Sequence, residues 1–154
     1  MAKREPYPLL SVAAFCDRVL EGSDSAMSAV RFVDQIAVPA PGDDPAARTP
    51  VRLEALVAFK TGGQCRRTLR LVLRMPSGKT QVVQERDMVF SDEQTIFNLR
   101  LKVELKVKTE GLYWVDVFVD KKLYTKMPLL VRFIHQPEQE QVLAQRRSLR
   151  AQNL

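Results

Sequence analysis

The chain has 154 residues, a net charge of +6 and an isoelectric point near 9.6. A single domain of this length buries about 68–70% of its unfolded surface, so it needs neither a disulfide nor a metal to hold a core. The basic balance permits attraction to a polyanion, but the charge is spread along the chain, and no apolar run approaches the roughly 20 residues of a membrane-spanning helix.

The N-terminus is basic at Lys3 and Arg4, but the apolar run that follows is short and Pro6 and Pro8 precede it, so it is not expected to act as an export signal. Leu9 to Cys16 reads as a first strand, and Asp17 to Asp24 as a polar link or one short helical turn. Met27 to Val38 reads as a second strand, with a bulge or burial on both faces where Phe32 and Val33 break the alternation. Pro39, Pro41, Pro45 and Pro50 then forbid a regular element and mark a long surface loop. Val51 to Phe59 forms a third strand with Val51, Leu53, Ala55, Val57 and Phe59 on one face. Thr68 to Met75 returns with Leu69, Leu71, Leu73 and Met75 inward, and Thr80 to Val89 follows the Pro76-Ser77-Gly78-Lys79 turn.

The clearest pattern is Leu99 to Lys108, where apolar and charged residues alternate without a break. Thr109-Glu110-Gly111 suits a three-residue hairpin loop, and Leu112 to Asp120 would return beside the first strand. That hairpin sets Val107 against Tyr113, Leu105 against Val115 and Val103 against Val117. A last strand, Leu123 to Ile134, contains Pro128, which predicts an edge or a bulge at that point. About eight short strands with regular turn signals predict an all-β fold, an antiparallel β-sandwich with an immunoglobulin-like strand pattern. A partly open barrel is the alternative. The sandwich takes residues 1–136, and 137–154 form a C-terminal helix or mobile tail with Pro137 at its first turn.

Residues that carry chemistry are few. Ser77-Gly78-Lys79-Thr80 resembles the end of a phosphate-binding loop, but Leu73 stands where that motif needs glycine and a strand follows instead of a helix. His135 is the only histidine, and Cys16 and Cys65 lack metal or redox spacing. Free thiols in a cytoplasmic protein are the expectation. The acids at Asp43, Asp44, Asp92 and Glu93 lack the alternation of a calcium loop. No catalytic residue, cofactor or metal is expected.

Two surface features stand above this background. In the hairpin register, Trp114 and Phe118 share the outer face with Lys102 and Lys106, so they are either covered or form a contact surface for another protein or a second copy of the chain. Val142, Leu143 and Leu149 are the candidates to cover them. The second feature is the basic set Arg66, Arg67, Arg70 and Arg74, with Lys60, Lys121, Lys122 and Lys126 nearby, which would serve nucleic-acid or polyanion binding. Glu104 opposite Asp116 is an unexplained like-charge pair in this register.

Phe15-Cys16-Asp17, an apolar strand entering a proline-rich loop, Gly111-Leu112-Tyr113-Trp114 to Asp120, and Pro128-Leu129-Leu130-Val131 together resemble a family of small bacterial proteins. That family is defined as a domain of unknown function. The resemblance spans roughly residues 9–134 and implies a bacterial β-sandwich; it brings no activity or site residues.

Overall fold

The computed structural model describes residues 4–134 and 136–152, so His135 lies outside the described residues. Along the chain run β1 (Leu9–Glu21), β2 (Met27–Val33), β3 (Gln35–Pro39), β4 (Thr49–Lys60) and β5 (Cys65–Arg74). They are followed by β6 (Thr80–Phe90), β7 (Ile96–Val107), β8 (Gly111–Val119), β9 (Lys122–Ile134) and α1 (Gln136–Gln152). The strands form a four-stranded sheet, β2-β1-β4-β7, and a five-stranded sheet, β3-β9-β8-β5-β6. The expected two-sheet all-β fold is what forms.

The alternation seen in the sequence builds the core. Val51, Leu53, Ala55, Val57 and Phe59 of β4 face Leu69, Leu71 and Leu73 of β5 and Tyr113, Val115, Val117 and Val119 of β8, all buried in one cluster. A smaller cluster of Cys16, Val19 and Leu56 lies apart from it. It forms beyond the last β1–β4 pair, Cys16 with Glu54, where the Val19 N–H donates to a Glu54 carboxylate oxygen.

The Leu99–Val119 hairpin does not form. β7 pairs with β4 through twelve consecutive positions, placing Leu105 beside Val51 and Val103 beside Leu53. β8 lies in the other sheet, between β5 and β9. The apolar rows of the two strands therefore contribute to one core from different sheets instead of lying side by side in one. Alternation shows that each strand has one buried face; it does not distinguish a neighbour in the sheet from a neighbour across the core. Local chemistry turns the chain out of its sheet. The Tyr113 hydroxyl donates to the Thr109 carbonyl 2.8 Å away, the geometry of a tyrosine corner. Gly111 has φ +136°, and a Cβ there would come 3.2 Å from the Pro76 ring.

The expected second strand is also two strands. The chain crosses between sheets at Asp34, whose carbonyl accepts from the Leu130 N–H. β3 then pairs with β9 in parallel, so the sandwich is not purely antiparallel. The expected link after Cys16 is strand as far as Glu21, paired with β2, and Arg31 takes φ +52° opposite Asp17, its ion-pair partner. Pro128 sits two residues before β3 begins to pair at Leu130, so its missing N–H falls where β9 has no neighbour on that side.

Candidate functional site

The loss of the hairpin dissolves the predicted aromatic and lysine cluster. Lys102 lies beside Glu54, and Lys106 beside Pro50, on the four-stranded sheet. Trp114 and Phe118 lie on the five-stranded sheet. The Glu104–Asp116 opposition disappears for the same reason: Glu104 lies beside Arg52 and Asp116 beside Val72.

The same register brings the aromatic pair and the arginine set onto one face. On the outer face of the five-stranded sheet, Trp114 is the direct neighbour of Arg74, and Phe118 of Arg70, with Asp116 and Val72 between them. Directly opposed Cβ atoms are about 5 Å apart, so each aromatic ring has an arginine stem beside it. Trp114 and Phe118 stand roughly 13 Å apart along the strand, four residues at about 3.3 Å each. Both are half-buried, while Arg70 and Arg74 are exposed.

Between the two rings lies Asp116, only 1% exposed. One carboxylate oxygen accepts from Arg74 Nη2 at 3.0 Å. The other is buried and has no hydrogen-bond partner among the described residues. A buried carboxylate with one satisfied oxygen ties Arg74 down and gives the face a negative centre beneath its basic rim. Sequence reasoning placed Asp116 only as a like-charged neighbour of Glu104; its burial shows once β8 lies between β5 and β9, with Val72 and Lys126 beside it.

The arginine set divides. Arg66 pairs with Asp87 at 2.8 Å, Arg70 with Glu85 at 3.9 Å and Arg74 with Asp116 at 3.0 Å, each with an acid on an adjoining strand. The Arg66 guanidinium holds the Asp87 carboxyl below its usual range, with a smaller contribution from Thr68. Arg67 does not belong to this face. It occupies the core-side row of β5 between Cys65 and Leu69, and its side chain is 13% exposed. Its guanidinium donates to Asp120 and to the Glu5 and Pro6 carbonyls, and it lies 3.9 Å from the centre of the Tyr7 ring. Arg67 therefore pins the N-terminal arm and is not available to a polyanion. Its place in the Cys65-Arg67-Leu69 alternation was readable in the sequence.

Leu143 and Leu149, expected to cover the aromatic pair, are 53% and 61% exposed, and the Val142 side chain lies outside the described residues. Cys16 and Cys65 are buried and unbonded. Burial pushes the Cys16 thiol up, with Glu54 adding to the effect, so it presents little thiolate. Among the described residues no group of three His, Cys, Asp or Glu side chains is placed to hold a metal ion. No helix among them is long and apolar enough to cross a membrane.

No family model matches the chain, and no curated protein matches it. Among solved structures it is similar to a β-glucosidase from Listeria innocua in complex with glucose, at 8% identity and a TM-score of 0.49, covering 82% of this chain and 16% of that one. It is also similar to the alkylpurine DNA glycosylase AlkC of Pseudomonas fluorescens bound to DNA, at 9% identity and a TM-score of 0.41, covering 64% of this chain and 28% of that one. The chain thus spans less than a third of either protein, and likenesses of this degree carry no functional weight.

Proposed function

We propose that this chain is a non-enzymatic, immunoglobulin-like β-sandwich that binds another protein through the outer face of its five-stranded sheet. Trp114 and Phe118 are the anchors, and Arg70 and Arg74 form the rim. The observation that carries this reading is the register placing Trp114 beside Arg74 and Phe118 beside Arg70 around a buried Asp116. Tryptophan and arginine are the residues most enriched where binding energy concentrates, and half-buried aromatic rings lose little side-chain entropy on contact. The strand order supports the immunoglobulin-like reading, as does the Tyr113 corner at the start of β8. Two buried, unbonded thiols are in keeping with a cytoplasmic, reducing setting.

Nucleic acid is the competing ligand, favoured by the alternation of aromatic and arginine side chains. Against it, Arg66, Arg70 and Arg74 each already face a carboxylate, so few free counterions would be released on binding. The test is capture of partners from the native host by the tagged chain, with and without nuclease, using wild type and Trp114→Ala. A protein that survives nuclease and is lost with Trp114→Ala is the expected result. Recovery that vanishes with nuclease transfers the face to nucleic acid, and retention by a folded Trp114→Ala variant overturns the site.

A further inference from the structure

The four outermost strands of the two sheets are not equally protected. β3 is five residues long, and β2 is broken by Arg31 in a left-handed conformation. β6 shifts register beside Leu71 and carries Arg86 at a core-side position opposite Leu69. Shortness, kinks, bulges and core-side charge are the devices that keep sheet edges from pairing with other chains. Of the protective devices β7 has only charged side chains on its outer row, Lys102 and Lys106 among them. It runs twelve residues in unbroken register with β4 and contains no proline, and its core-side row is Phe97, Leu99, Leu101, Val103, Leu105 and Val107.

Burial along that row is uneven. Leu99, Leu105 and Val107 are buried, whereas Leu101 and Val103 are only half-buried although they point to the core side. The edge is open around Val103. The sequence there is Leu101-Lys102-Val103-Glu104-Leu105, which reads in reverse with the charges exchanged. Two antiparallel copies centred on Val103 set Lys102 of each against Glu104 of the other, twice, with Leu101 against Leu105 and Val103 against Val103. All these pairs respect the faces of the sheet, because residues directly opposed in an antiparallel pair lie on the same side. The flanking pair, Arg100 against Lys106, is like-charged, but Arg100 is neutralised within its own chain by Glu54, 2.9 Å away. The same exercise on β6 sets Glu85 against Asp87 when centred on Arg86, and Glu85 or Asp87 against itself one step either way.

We infer that two copies of this chain associate through β7, edge to edge and antiparallel about Val103, joining their four-stranded sheets into one eight-stranded sheet. Leu101 of the second copy comes opposite Leu105, at the mouth of a groove of about 490 Å³ that Leu73, Val83 and Tyr113 also line. This contact lies on the sheet that does not carry Trp114, so the two surfaces are independent.

Sedimentation equilibrium of the full chain, from micromolar to about 1 mM, tests it with charge exchanges at exposed positions. Wild type is expected to dimerise. Glu104→Lys turns both Lys–Glu oppositions into Lys–Lys and should weaken association roughly tenfold or more. The double exchange Lys102→Glu with Glu104→Lys restores both oppositions and should recover the dimer. A wild type that stays monomeric across the range overturns the inference, as does a dimer indifferent to Glu104→Lys or not rescued by the double exchange. Trp114→Ala should leave the association unchanged, and a dimer lost with that variant places the contact on the other face.

Discussion

Glu54 joins three strands, and replacing it by glutamine isolates what its charge contributes. Its two carboxylate oxygens accept from Arg100 Nη2 at 2.9 Å and Nε at 3.2 Å, and one of them also accepts from the Val19 N–H. Its side chain is 14% exposed, and that of Arg100 is 42% exposed. Hydrogen bonds to a charged group are worth about 1.5–3 kcal/mol when buried; exposure of the arginine reduces its share to roughly 0.5 kcal/mol. The Val19 bond, beside the buried Cys16 cluster, adds about 1 kcal/mol, for a total near 1–2 kcal/mol. In a chain of this length that lowers Tm by about 3–8 °C, with a matching fall in the urea midpoint and little change in the slope of the transition. The pH dependence makes the test sharper. Arg100 chiefly, and the Val19 N–H next, hold the Glu54 carboxyl below its ordinary value. A carboxyl depressed in the folded state stabilises above its unfolded pKa, near 4.3, and that stability is lost as pH falls through the folded value. Urea midpoints from pH 7 to pH 3 should therefore show wild type and Glu54→Gln separated at neutral pH and converging below about pH 4. Asp17 and Asp87, held low by Arg31 and Arg66, give both proteins an acid-labile component, so the difference between the curves is the readout. Parallel curves across the range refute the assignment.

Tyr113→Phe removes only the hydroxyl that donates to Thr109, and should lower stability by about 1 kcal/mol with the native spectrum retained; an unchanged urea midpoint would show that the corner holds without it. Arg67→Lys leaves a positive charge but cannot reach Asp120, Glu5 and Pro6 together, so trypsin should cleave the N-terminal arm after Arg4 faster while the core strands stay intact. Equal protection of that arm in both proteins would remove the pinning role from Arg67.

Strand phase was legible wherever one face is dry: Val51 to Phe59, Leu69 to Leu73 and Leu99 to Val107 each show their buried row in the sequence. Strand partnership was not. Pairing β7 with β8 is the shortest connection, and nothing in the apolar pattern distinguishes it from a corner between sheets. The Gly111-Leu112-Tyr113 spacing was the available signal, since the tyrosine hydroxyl at that position reaches back to Thr109. The split of Met27 to Val38 depends on Asp34 meeting Leu130 almost a hundred residues later, which is tertiary information. Of the candidate site, the aromatic residues were visible by type, whereas their arginine neighbours became visible only once β8 paired with β5.

The crossing at Asp34 also orders events during synthesis. β3 leaves the ribosome early, yet among the described residues its one sheet neighbour is β9, whose pairing residues begin at Leu130. At translation rates of about 5–20 residues per second, β3 waits roughly 5–20 s for a partner. Over that interval the nascent chain can complete the β1, β2 and β4 pairings while β3 remains an open strand. Closure of the sandwich is thus deferred until the last strand emerges, and for those seconds the backbone groups of β3 stand open to other pairings.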